Sequence, residues 1–209
     1  MSGLFITLEG PDGSGKSTVS RMLVSYLRDR GFRVTLTREP GGTDISEEIR
    51  HIILDTKNTE MQSTTEALLY AASRAQHVGE KIIPAMQADR VVVCDRFVLS
   101  SLVYQGIARG LGVETIKELN DFATTGLEPD LILFFDIDPK VALTRKTKRS
   151  KADRLENENI EFHRSVYEGY KSLLDIYGDR VKIIDAKNSK RNVFEQVKNA
   201  VNSLMEGRE

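Results

Sequence analysis

Between an apolar run ending at Leu8 and a segment of helical periodicity opening near Ser17 lies Gly10-Pro11-Asp12-Gly13-Ser14-Gly15-Lys16-Ser17-Thr18. It fits G-x-x-x-x-G-K-[ST], a spacing that serves to hold phosphate. Glycines let the backbone turn its N–H groups toward phosphate oxygens, and the following helix adds the positive end of its dipole. Lys16 supplies a movable point charge. The Ser17 hydroxyl is placed to bind Mg²⁺, which offsets phosphate charge further. The competing reading, an accidental glycine-rich turn, is disfavoured by the strand before the loop and the helix after it. A nucleoside triphosphate site follows, although the loop alone does not separate kinases from switches and motors.

Two further loops carry charge where chemistry is expected. Ligands of an open parallel sheet collect at the carboxyl ends of its strands. Gly10, Arg38 and Asp95-Arg96 each stand just past such an end. Arg38 and Arg96, with planar forks that match phosphate oxygens, can hold a second phosphate group opposite the triphosphate. Either arginine alone reads more simply as a surface ion pair; the pair at two strand ends favours the functional reading. Asp95 follows an apolar strand, where P-loop proteins keep a carboxylate near Mg²⁺. Asp136 and Asp138 are weaker competitors that also suit a helix cap before Pro139. From Arg145 to Arg154 six residues in ten are basic, a run that composition alone assigns to a solvated face.

The elements that position these groups alternate between short β-branched runs and longer helical segments, the pattern of a parallel sheet with crossover helices. Strands are expected at 4–8, 33–37, 90–94, 131–136 and 181–184. Helices are expected at 17–30, 45–54, 64–87, 98–108, 113–124, 139–146, 160–177 and 192–205. Val-Val-Val-Cys and Leu-Ile-Leu-Phe-Phe lack in/out alternation, so the third and fourth strands should be central. Asp44 with Glu47 resembles a capping box. The fold class is α/β: a five-stranded parallel sheet with helices on both faces, one domain over residues 1–209.

Composition narrows the function. Lys plus Arg is 30 against 31 Asp plus Glu, and the net charge of −1 argues against a protein that coats nucleic acid or an acidic membrane. The longest apolar runs stop after about five residues, far short of the roughly twenty of a membrane span. The start Met-Ser-Gly-Leu-Phe-Ile-Thr-Leu-Glu does not read as a secretory signal. One cysteine, Cys94, excludes an internal disulfide and fits a reducing cytosol. His51, His77 and His163 show no metal-ligand spacing with each other or with Cys94.

Four segments in order carry a more specific likeness. They are the P-loop, Thr37-Arg38-Glu39-Pro40-Gly41-Gly42-Thr43, the stretch from Leu68 to His77, and Asp95-Arg96-Phe97 running on to Gly106, with Asp153-Arg154-Leu155-Glu156 closing the basic run. Together, from about Leu4 to Glu158, they resemble the thymidylate kinases, P-loop enzymes that phosphorylate dTMP with ATP and Mg²⁺. The resemblance implies that Arg38 and Arg96 bind the dTMP phosphate. Tyr70 and Arg74, four apart on one helical face, would stack on the base and reach its carbonyl edge. The family usually has Phe at position 70, and periodicity alone would read Tyr70 as a core aromatic. Ser100 and Ser101 would lie near the thymine edge beside Gln105, and Tyr104 under the sugar, where a 2′-hydroxyl would collide. For Asp12 the family offers two partners: the acceptor's 3′-hydroxyl or an arginine of a lid.

The lid is expected at about 145–156. Because this P-loop carries no arginine, the resemblance places the catalytic arginine in the lid, and counting back from Asp153 selects Arg149, with Arg145 and Arg154 as secondary candidates. Adenine contacts fall by position on 185–190. A cytosolic homodimer through helices including 64–87 is implied. The expected catalytic set is Lys16, Arg38, Asp95, Arg96 and Arg149. The rivals are a kinase for dUMP, UMP or CMP, and a regulatory P-loop NTPase, which would want a guanine-reading Asn-Lys-x-Asp absent from this sequence.

Overall fold

The computed structural model describes residues 3–146 and 153–207. Five strands, β1 (Phe5–Glu9), β2 (Val34–Arg38), β3 (Val91–Asp95), β4 (Leu131–Asp136) and β5 (Val181–Asp185), form one sheet in the order β2-β3-β1-β4-β5. Every neighbouring pair is parallel. The runs without alternation are the interior strands: β1 is buried throughout, and β3 and β4 are buried except for their last residue. The edge strands β2 and β5 are only partly covered, with buried positions at Val34 and Thr37 in β2 and at Ile184 in β5. Strand positions match the sequence-based expectations to within a residue.

Helices cover both faces, as two layers of core demand. α1 (Lys16–Asp29) and α9 (Lys190–Glu206) send Leu23, Leu27, Val197 and Val201 against Ile6, Leu8, Val93 and Leu133. The opposite strand face, with Ile132 and Phe134, meets α8 (Ile160–Leu173) and the segment around Leu102–Tyr104. The period of two along β4, which sends Leu131, Leu133 and Phe135 one way and Ile132 and Phe134 the other, splits the core into these layers.

The remaining helices are α2 (Asp44–Leu54), α3 (Ser63–His77), α4 (Ile83–Gln87), α5 (Val98–Ser101), α6 (Val113–Thr124) and α7 (Pro139–Lys146). Two helices expected as single α-helices are each interrupted. A π turn, Val78–Ile82, joins α3 to α4, and a second, Leu102–Ala108, continues α5. Pro84 has no N–H to close an α turn onto the residue four before it, and the chain widens just ahead of it. α8 ends at Leu173 and gives way to a 3₁₀ segment, Leu174–Arg180, rather than continuing as α-helix to 177. The capping box at Asp44 is displaced: Thr43 is the N-cap, and Glu47 reaches back to the Gly42 N–H at 2.7 Å.

The chain leaves β1 toward the β2 edge, passing β3, and leaves β3 in the opposite direction, past β1 to β4. The carboxyl ends of β1 and β3 therefore flank the switch point where a crevice opens.

Candidate active site

A cleft of about 840 Å³ opens there. On one side it is lined by Asp12, Gly13, Gly15, Lys16, Ser17 and Thr18 of the P-loop. Across it lie Arg38, Tyr70, Arg74, Arg96, Ser100, Ser101, Tyr104 and Gln105, with Asp95 between the two sets. Gly10, Pro11 and Ser14 stand behind the lining and hold Lys16: its ammonium donates to the Gly10 and Pro11 carbonyls at 2.8 Å each and to Ser14 Oγ at 3.4 Å. Burial, with the nearby Arg96 charge adding to it, pushes the Lys16 ammonium down to about 8. Gly10 is irreplaceable on geometry. Its φ is +132°, and a Cβ there would stand 2.7 Å from the Phe135 carbonyl oxygen.

In the cleft the Ser17 hydroxyl donates to Asp95 Oδ2 at 2.6 Å. A hydroxyl and a carboxylate meeting at the phosphate end offer hard oxygen donors of the kind Mg²⁺ takes. The competitors are occupied elsewhere: Asp136 Oδ1 accepts from Tyr167 OH, and Asp138 caps α7 by accepting from the Lys140 N–H at 2.8 Å.

Arg96, at φ +73°, turns its guanidinium into the cleft and is held on several sides. It donates to Ser100 Oγ and Tyr170 OH at 3.0 Å each, to Tyr104 OH at 3.3 Å, and pairs with Asp12 Oδ1 at 3.0 Å. The guanidinium also lies 5.1 Å from the centre of the Tyr104 ring. Asp12 thus has a partner that neither sequence alternative named: an arginine at the end of β3, joined by the Tyr104 hydroxyl at 3.4 Å. Glu9, fully buried at the end of β1, anchors the group from below. It accepts from the Phe97 N–H at 2.8 Å, Ser100 Oγ at 2.6 Å and Tyr170 OH at 3.1 Å. Burial pushes its carboxyl above the usual range.

Arg38 is half exposed and forms a two-pronged pair with Glu47 at 2.7 and 2.9 Å. Beside it stands Arg50, which sequence reasoning passed over. It lines the same cleft, donates to the Pro40 carbonyl at 2.8 Å, and has its pKa lowered by burial and by the Arg38 charge. A helical arginine that follows Glu47 and Glu48 reads as a solvated face, so only the fold reveals where it points.

Arg74 is buried (2 % exposed) yet reaches the cleft. It donates to Glu39 Oε2 at 2.6 Å, Ser101 Oγ at 2.9 Å, the Phe97 carbonyl at 3.2 Å and Asn120 Oδ1. Tyr70, one turn before it, is half-buried on the cleft wall. One turn earlier still, Glu66 is 1 % exposed and accepts from Gln105 at 2.9 Å, from Arg109 at 3.3 and 3.1 Å, and from Arg154 at 2.6 Å. Burial opposes its charge, but these hydrogen bonds outweigh it and hold the carboxyl below the usual range. Arg154, a secondary catalytic candidate of the sequence, donates to Glu66 and to the Ile53 carbonyl. Arg145 lines the cleft while donating to the Ala186 and Lys187 carbonyls, at the loop expected to meet adenine. Arg149 lies outside the described residues.

Glu39, His77 and Cys94 bring three ligand atoms within 4.8 Å of one another, a proximity that their sequence spacing does not disclose. Each has a protein partner. His77 bonds Glu39 and Thr37, Glu39 also pairs with Arg74, and the Cys94 thiol donates to the Arg96 carbonyl at 3.1 Å. Burial pushes that thiol up.

The chain is similar to known proteins over most of its length. A family model described as thymidylate kinase matches residues 8–197. A thymidylate kinase of Finegoldia magna is 53 % identical over 193 residues, covering 92 % of this chain and 95 % of that protein. One from Geobacillus sp. (strain WCH70) is 52 % identical over 210 residues and covers all of both. Among solved structures, a thymidylate kinase from Ehrlichia chaffeensis superposes with a TM-score of 0.80 at 30 % identity, covering 96 % of this chain and 100 % of that one. The chain belongs to the thymidylate kinase family.

Proposed function

We propose that the protein transfers the γ-phosphoryl group of ATP directly to the phosphate of dTMP, giving dTDP and ADP. The observation that carries this reading is the meeting of two phosphate-binding sets across one cleft: the Lys16 loop on one wall and Arg96, Arg38 and Arg50 on the other. A switch that hydrolyses its nucleotide has no use for the second set.

In this reading, backbone N–H groups of the P-loop and Lys16 hold the β- and γ-phosphates, so Lys16 exchanges its loop carbonyls for phosphate oxygens. Arg96, fixed by Glu9 through Ser100 and Tyr170, orients the acceptor phosphate in line; Arg38 and Arg50 complete the grip. Ser17 and Asp95 would hold Mg²⁺, which would supply positive charge to offset that of the phosphates. Tyr70 stacks on the base and Arg74 addresses its carbonyl edge, while Tyr104, locked by Arg96 and Asp12, occupies the space a 2′-hydroxyl would need. A methyl group is worth only about 1–3 kcal/mol of discrimination, so preference for dTMP over dUMP is modest.

The charge that builds on the transferring group calls for one more cation. Arg96, Arg38, Arg145 and Arg154 are each held by protein groups. The family resemblance assigns that role to Arg149, within a lid at 145–156, where such a group contributes about 10³–10⁵ in rate. Residues 1–209 act as one kinase domain. Two copies pair through the α3 face, where Leu68 is 59 % exposed. No helix among the described residues is long and apolar enough to cross a membrane, and a lone buried thiol suits a reducing cytosol.

The test is a coupled ADP-release assay with ATP, Mg²⁺ and a panel of monophosphates. dTMP should give the highest kcat/KM; turnover no better than with CMP or AMP would overturn the assignment, and ADP release without any acceptor would favour a switch.

A further inference from the structure

Behind the base-facing wall lies a buried polar chain that the reaction does not itself use. His77 is fully buried and Glu39 is 4 % exposed. Glu39 divides its carboxylate: Oε2 accepts from Arg74 Nε at 2.6 Å and Oε1 from His77 Nδ1 at 2.9 Å. A carboxylate can only accept, so Nδ1 carries the proton. In the neutral ring Nε2 is then an acceptor, and it receives the Thr37 hydroxyl at 2.6 Å. With Glu39 ionised and the ring neutral, each hydrogen bond along Thr37, His77, Glu39 and Arg74 has its donor and acceptor assigned.

The chain is sealed by backbone. Gly42, at φ +99°, lies so close that a Cβ there would stand 2.6 Å from His77 Nε2 and 2.7 Å from Thr37 Oγ1. Lys81 pins this turn by donating to the Gly42 carbonyl at 2.6 Å. Arg74 is gripped on its other side by Ser101 and Phe97. The direction of the guanidinium is fixed by its Nε–H on the Glu39 carboxylate together with its terminal contacts to Ser101, Asn120 and the Phe97 carbonyl, and Glu39 supplies the carboxylate among them. His77, in turn, sets where Glu39 stands.

We infer that His77 and Glu39 are positioning residues that aim Arg74 at the carbonyl edge of the acceptor base, and so determine base selectivity from behind the wall. The inference rests on the reading of Arg74 given above. The Thr37 hydroxyl satisfies Nε2, and the Gly42 backbone packs against the His77 ring and Thr37. Buried hydrogen bonds to charged groups are worth enough that losing one should change acceptor affinity about tenfold.

The test exploits the two ring nitrogens. Asparagine at 77 places an amide N–H where Nδ1 stands, whereas glutamine reaches the position of Nε2. His77→Asn should keep KM for dTMP, and the preference for dTMP over dCMP, whose 4-amino donor replaces a carbonyl, within about twofold of the native enzyme. His77→Gln and His77→Leu should raise KM for dTMP about tenfold and cut that preference by a similar factor. All three should leave KM for ATP within about twofold, a split that a general loss of packing would not produce. Glu39→Gln, which keeps shape and loses charge, should give the same split. Equal behaviour of the Asn and Gln variants, or parallel changes in both KM values, would overturn the relay.

If a variant fails to fold, NMR of the native enzyme decides. The His77 Nδ1–H resonance should shift on adding dTMP and not on adding ADP, and no shift with dTMP would also overturn it. A native enzyme that turns over another monophosphate but not dTMP would instead overturn the functional reading. The relay would then be judged by the same KM split on the acceptor it does use.

Discussion

Replacing Glu66 by Gln tests how the acceptor wall is held together. Glu66 is buried at 1 % exposure, and its two oxygens take charged donors from two arginines and the amide of Gln105. The substitution keeps the shape and leaves Arg154, itself 10 % exposed, without its carboxylate. Arg109 retains Glu158 at 2.6 Å, so the loss falls mainly on one buried pair. Breaking such a pair costs about 3–5 kcal/mol, and the partner left to Arg109 places this one near about 3. In a chain of this length each kcal/mol moves Tm by about 2–4 °C, so Tm at pH 7 should fall by about 6–12 °C.

The pH dependence has a fixed sign. The folded-state pKa of Glu66 is lowered, so its contribution is complete above the ordinary carboxylate value and is lost as pH falls through the folded value. Calorimetry of both proteins should show a constant gap from pH 7 to about 5 that narrows below about 4.5. KM for dTMP should also rise, because Gln105, which Glu66 holds, lines the cleft beside Tyr104. A Tm change under about 2 °C at pH 7, or a gap that persists into acid, would refute the reasoning.

Arg149→Ala should lower kcat at least about a hundredfold with dTMP affinity nearly unchanged in equilibrium titration; near-normal turnover would move the transition-state charge to another residue. Lys16, pushed down to about 8 by burial, must be protonated to attract phosphate. kcat/KM for ATP should therefore fall as pH rises past about 8, and a profile level to about pH 9.5 would contradict the assigned role. Tyr104→Ala should raise turnover of ribothymidine monophosphate relative to dTMP, and an unchanged deoxy preference would remove Tyr104 from sugar selection.

What the sequence disclosed follows from how local its physics is. The P-loop is legible because loop, lysine and hydroxyl are contiguous, and β3 and β4 because strands buried on both faces lose their alternation. Arg38, Asp95 and Arg96 are legible because strand ends predict where ligands gather. Arg50 and Glu66 were missed because a charged residue on a helix gives no sign of which neighbour will bury it. Glu66 is separated from Arg154 by 88 positions. The Asp12–Arg96 pair escaped for a similar reason: Asp12 was judged by the charge of its own loop, while its partner arrives from the adjacent strand. The π turn at Leu102–Ala108 carries no periodicity signal that separates it from an α-helix.

The central claim is that two nucleotides face each other, phosphate to phosphate, across one cleft. A single molecule in which five phosphates join the 5′ positions of adenosine and thymidine tests it most directly. It should bind one per chain and inhibit competitively against both ATP and dTMP. Competition with ATP alone, with dTMP still binding at unchanged affinity, would contradict the account.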